Sequence, residues 1–92
     1  YAVSKAAVDC FVSNAAKEWG PEGIRVVGVR PGPPETDMLE QIGGKNFVET
    51  AKATISLGRA GKPDEIAEAA VWLCTAKASF VHGAMLDVGG GR

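Results

Sequence analysis

Apolar residues near the start of the chain recur at helical spacing. Val3, Ala7, Phe11 and Ala15 form one row, and Val8, Val12, Ala15 or Ala16, and Trp19 form a second. Asp9, Ser13 and Lys17 leave a narrow polar strip. This period predicts a helix over residues 1–19, and so broad an apolar surface predicts burial on two sides. Gly20-Pro21 supplies the stop. The pattern then changes to a short β-branched run, Ile24-Arg25-Val26-Val27-Gly28-Val29, between Gly23 and Pro31. It reads as a buried strand over 24–30. Pro31-Gly32-Pro33-Pro34 continues neither strand nor helix. That rigid loop falls at the carboxyl end of the strand, the ligand side of an open α/β sheet.

Residues 35–60 carry a weaker signal. Phe47, Val48, Ala51 and Ile55 fit a modest helix with Asn46 placed to cap it. Over 63–76 the signal strengthens. Pro63 sits at a first helical position, and Asp64 and Glu65 complement the helix dipole. Ile66, Ala69 or Ala70, and Leu73 supply a buried face, and Lys77 puts a cation near the end. Ala84-Met85-Leu86-Asp87-Val88 reads as a last strand, 84–88, before glycines 89–91. Helix, strand, helical loop, helix and strand imply βαβ units with a parallel sheet. Two strands make no independent sheet core, so the pattern predicts an incomplete α/β domain.

Composition narrows the function classes. The 92 residues carry ten basic and eleven acidic side chains, a net charge of −1 and 46% apolar residues, as in a soluble globular domain. No basic stripe suits nucleic acid, and no apolar run approaches the roughly 20 residues of a membrane span. No secretory signal is visible, which gives a cytoplasmic expectation, although the chain lacks an initiator Met. Cys10 and Cys74 lie in apolar helical patterns and read as buried, unpaired thiols. One His and two distant Cys give no metal site. His82 reads as a polar loop residue, and Trp19 and Trp72 as helix packing.

Tyr1 and Lys5 stand at i and i+4, one above the other on a helix. A phenol titrates near ~10. An ammonium within ~4–6 Å favours the phenolate and draws that value toward the working range of proton transfer. The spacing alone is common; its context is not. Tyr1-Ala2-Val3-Ser4-Lys5-Ala6-Ala7-Val8 resembles the catalytic helix of the short-chain dehydrogenase/reductase family. Residues 23–32, Gly-Ile-Arg-Val-Val-Gly-Val-Arg-Pro-Gly, resemble its sixth strand and Pro-Gly turn, with Thr36 and Met38 following at the usual spacing. Residues 57–67, from Leu57 through Arg59, Pro63 and Glu65 to Ala67, resemble the signature before its penultimate helix. Residues 78–83 with Val88 and Gly89-Gly90 resemble its closing strand.

The resemblance, spread over nearly all 92 residues, implies that residues 1–92 are the C-terminal part of a single Rossmann-type domain with a doubly wound parallel sheet. It implies an NAD(P)-dependent oxidoreductase interconverting a carbonyl and an alcohol on a small-molecule substrate. Tyr1 would be the general acid or base, and Lys5 would tune it and bond the nicotinamide ribose. NAD or NADP would meet Tyr1, Lys5, Pro31, Gly32, Pro34 and Thr36. Residues 37–60, with Met38 and Leu39, would form a substrate lid, and a homodimer or homotetramer is expected. The phosphate-binding glycine loop and the catalytic Ser have no counterpart here, so the piece alone is expected to be inactive.

Three departures stand out. Pro34 lacks the N–H that normally donates to the carboxamide, which keeps open a non-catalytic nucleotide-binding or structural member. Gly89 replaces the usual Asp, and Arg30 replaces Asn, Ser or Ala.

Overall fold

The computed structural model describes residues 2–32 and 46–91. Its elements are α1 (Ala2–Trp19), β1 (Gly28–Pro31), α2 (Phe47–Thr54), α3 (Pro63–Leu73) and β2 (Met85–Val88). Two 3-10 turns, Gly20–Glu22 and Ala76–Ala78, follow α1 and α3. The chain divides into two compact units, Tyr1–Val29 with Val71–Leu86, and Arg30–Ala70 with Asp87–Arg92.

In the first unit α1 runs to Trp19 and tightens into a 3-10 turn at Gly20 rather than stopping there. The left-handed residue that ends it is Gly23, at φ 83°, whose N–H donates to the Gly20 carbonyl. Val12, Ala15 and Ala16 are buried, together with Leu73 and Ala78. Val3, Val8 and Phe11 are exposed, so among the described residues α1 buries one face and not two. Phe11 meets Trp19 edge to face, with ring centroids 6.2 Å apart. Trp72 is half exposed. Cys10 and Cys74 are free thiols and exposed, against the burial expected of them: Cys10 lies off the buried face of α1, and Cys74 follows the last residue of α3.

The strand expected over 24–30 is paired over Gly28–Pro31. The Gly28 N–H donates to the Ala84 carbonyl at 2.9 Å in the first unit, and the Gly32 N–H to the Val88 carbonyl at 3.0 Å in the second. Both strands advance four residues between these bonds, so the pair is parallel. Before it, the Val26 N–H donates to the His82 ring and not to a neighbouring strand.

In the second unit Ala51, Ile55 and Ala60 form a small core with Phe47 packed against it. Asn46 holds the cap position of α2, but its side chain makes no capping bond; its carbonyl accepts the Thr50 N–H at 2.8 Å. Gly58 (φ 77°) turns the chain toward α3, which ends at Leu73. The Leu57 N–H and the Ser56 hydroxyl both donate to the Gly90 carbonyl, tying the glycine run to this unit.

Candidate functional site

Lys5 lies in the first turns of α1, exposed, with small Ala6 and Ala7 after it. It belongs to the first unit. Pro31 and Gly32 belong to the second, at the carboxyl end of β1. Tyr1, Pro34, Thr36, Met38 and Leu39 lie outside the described residues.

Gly32 has a packing reason to be glycine. A Cβ there would stand 2.7 Å from the Gly89 Cα and 3.1 Å from its carbonyl oxygen, closer than backbone atoms yield. A Cβ on Gly89 would in turn stand 3.3 Å from the Gly32 Cα. The loss of the usual Asp at position 89 thus coincides with a backbone-on-backbone approach at the carboxyl ends of both strands. Arg30, the other departure, donates to the Asp87 carboxylate at 2.6 Å from the adjacent strand. Both side chains are exposed, so the pair contributes roughly 0–1 kcal/mol.

Beside this approach the second unit holds a crevice of about 260 Å³, bounded by Gly32, Gly89, Gly90, Leu57, Ile66 and Arg59. Aliphatic Val88 lines it as well, and so do the charged Glu65 and Asp87. Arg59 is not a loose cation at its rim. Nη1 and Nη2 donate to the two Glu65 oxygens at 2.7 and 2.8 Å, a bidentate fork. The Lys62 N–H adds a third bond to Glu65 at 3.0 Å. These donors hold the Glu65 carboxyl down at about 2, and the fork raises Arg59 above its ordinary value. Among the described residues no cluster of His, Cys, Asp or Glu could hold a metal ion, and no helix is long and apolar enough to cross a membrane.

Two residues of the first unit escaped the sequence pattern. Arg25 donates to the carbonyls of Leu73 (2.8 Å), Val81 (3.2 Å) and Thr75 (3.4 Å), closing the C-terminal end of α3. His82, read as a polar loop residue, is bonded through both ring nitrogens, to the Val26 N–H at 3.2 Å and the Ala16 carbonyl at 2.6 Å. Its neighbour Gly83, in a turn of positive φ, was the one local sign of a constrained junction.

The family model described as Enoyl-(Acyl carrier protein) reductase matches residues 1–92. The uncharacterized oxidoreductase YgfF of Escherichia coli is 40% identical over 92 residues, covering all of this chain and 37% of that protein. A solved 4-hydroxyisoleucine dehydrogenase complexed with NADH superposes at a TM-score of 0.88 and 28% identity, over 99% of this chain and 38% of its own. An NADPH-bound short chain oxidoreductase from Pseudomonas aeruginosa PAO1, containing an atypical catalytic center, superposes at 0.82 and 30% identity, over 97% and 37%. The chain therefore spans somewhat over a third of these relatives, and its architecture is a corresponding portion of their α/β, Rossmann-type fold.

Proposed function

The chain belongs to the short-chain dehydrogenase/reductase family, and from that premise we propose that it carries the acid/base part of an NAD(P)-dependent oxidoreductase interconverting a carbonyl and an alcohol. One observation carries the reading: the family match runs through Tyr1 and Lys5, four residues apart in the sequence, with Lys5 in the first turns of α1. The crevice at the carboxyl ends of both strands, lined in part by Gly32, Gly89 and Gly90, offers backbone that a nicotinamide could approach. The cofactor, NAD or NADP, supplies or accepts the hydride.

The residues of this chain do the rest. The Tyr1 phenol gives a proton to the carbonyl oxygen in reduction and takes it from the hydroxyl in oxidation. The Lys5 ammonium stabilises the phenolate and bonds the cofactor ribose. Pro31, Gly32, Pro34 and Thr36 would hold the nicotinamide, and Pro34 would offer it no backbone N–H. Met38 and Leu39 belong to the cover over the substrate, and exposed Val3, Val8 and Phe11 on α1 support a homodimer or homotetramer. With about 37% of a relative's length, the piece alone has no turnover.

In the full-length protein, Tyr1→Phe should lower substrate-dependent NAD(P)H turnover by about 10²–10⁴-fold, the usual worth of a positioned acid or base. Turnover near the wild-type rate overturns the reading. Pro34 favours a second one, a family member that binds nucleotide without catalysis. Cofactor binding without turnover across carbonyl and alcohol panels would support it instead.

A further inference from the structure

α1 carries Lys5 near its first residue, yet its buried contacts in the first unit lie in its second half. Val12 packs over β1: a Cβ at Gly28 would meet the Met85 sulfur and stand 3.3 Å from a Val12 methyl. Four residues on, the last turn is clasped. The last four carbonyls of a helix lack partners within it, and the Ala16 carbonyl, one of these, receives the His82 Nε2 at 2.6 Å. On the other side of the same ring Nδ1 accepts the Val26 N–H at 3.2 Å. With Nδ1 accepting, Nε2 is the ring's donor toward the Ala16 carbonyl. The next residue completes the junction. The Gly83 N–H donates to the Val26 carbonyl at 2.8 Å. Gly83 lies so near Ala16 that a Cβ there would stand 3.3 Å from the alanine methyl. His82-Gly83 thus grips both polar groups of Val26 and the end of α1, tying the helix to the segment that becomes β1 two residues later.

We propose that His82 is a positioning residue for proton transfer, setting the tilt of α1 and hence the place of Lys5 and Tyr1 relative to the reacting carbonyl. The proposal rests on the acid/base reading of that pair. The lever follows from helix geometry. At 1.5 Å per residue, Val12 lies about 6 Å from Ala16 and about 10.5 Å from Lys5. With Val12 as pivot, slack of about 0.6 Å at Ala16 becomes about 1 Å at Lys5. A misplacement of that size costs about 10²-fold in rate. The proposal takes Tyr1 to lie one turn before Lys5, as their i, i+4 spacing in the sequence implies, so tilt leaves that spacing unchanged.

The test compares His82→Leu, His82→Gln and Gly20→Ala in the full-length protein with bound cofactor. Leucine removes both bonds. A glutamine amide offers an acceptor and a donor about as far apart as the two ring nitrogens. Alanine at 20 puts a methyl 2.9 Å from Nε2 and displaces the ring. Per folded, cofactor-binding site, His82→Leu should lower kcat about tenfold to a hundredfold. The midpoint of the pH–rate profile should stay in place, because the tyrosine–lysine spacing is intact. His82→Gln should recover most of the rate, and Gly20→Ala should lower kcat in the same direction. A folded His82→Leu with wild-type kcat, or a glutamine variant no faster than leucine, overturns the proposal. Should the leucine variant fail to fold, wild-type kcat in Gly20→Ala overturns it equally. Tyr1→Phe measured alongside separates the failures: full activity there removes the acid/base reading itself, whereas loss there with wild-type kcat at His82→Leu removes this inference alone.

Discussion

Glu65 shows how a single side chain can serve a helix end and an ion pair at once. It stands third in α3 and reaches back to the Lys62 N–H, the return half of a capping box, while its carboxylate closes the fork with Arg59. Its titration falls from 4.5 to about 2 in the folded chain, led by the Arg59 bonds and then by the Lys62 N–H. A carboxyl held low when folded adds stability that is fully present above its unfolded value and lost as pH falls through the folded one. The contribution should therefore fade as pH drops from 4.5 to about 2. Both groups are solvent-exposed, so added salt should shrink it. An NMR titration of the Glu65 carboxyl should find its midpoint near 2, and one at 4.5 would refute the fork in solution. Glu65→Gln should flatten the acid limb of urea midpoints over that window. Pro63, Asp64 and Glu65 were legible as a helix start because caps are local chemistry. The partner Arg59, six residues upstream across a turn, was not.

At the scale of elements, local pattern located the helices and strands, and contacts distant in sequence set their limits. The expected helix over 63–76 gives way at Leu73. There Arg25, 48 residues earlier in the chain, takes the terminal carbonyl, while Lys77, expected as a cation near the helix end, lies in the 3-10 turn that follows. The expected strand over 24–30 pairs from Gly28, because the Val26 N–H is engaged by a side chain 56 residues away. No periodicity encodes a partner at that distance. A guanidinium serving three carbonyls cannot be replaced by an ammonium, which is a point donor on a flexible stem. Charge-assisted bonds contribute about 1.5–3 kcal/mol each and cost more when acceptors are left bare. Arg25 is half-buried. Arg25→Lys should thus destabilise the full-length protein by about 1–3 kcal/mol in chemical denaturation, with the end of α3 losing amide-exchange protection first. A loss spread evenly over the whole chain, or none, would show that Arg25 does not close α3.

Across the whole molecule, burial is thin where large side chains are concerned. Among the described residues the buried apolar ones are Val12, Ile55 and Leu73 with five alanines, whereas Val3, Val8, Phe11, Val71, Trp72 and Phe80 are among the large ones left exposed. Burying one such side chain contributes about 1.5–3 kcal/mol, while ordering each residue's backbone costs about 1–2 kcal/mol. Alanine methyls add little to the favourable side. The two-stranded sheet adds no core of its own, since a lone strand pair is marginal in water. The exposed apolar faces therefore require cover from the rest of a full-length subunit or from a second copy. The 92-residue chain, expressed alone, should unfold in urea without a sharp transition and sediment as a mixture of oligomers. The full-length protein should unfold cooperatively. A monomeric 92-residue chain with a single cooperative transition, at the roughly 1–3 kcal/mol/M slope of a small domain, would show that this thin core suffices. In that case Val3, Val8 and Phe11 would lose their standing as a subunit contact, and α1 would be oriented by its grip at Val12 and Ala16 alone.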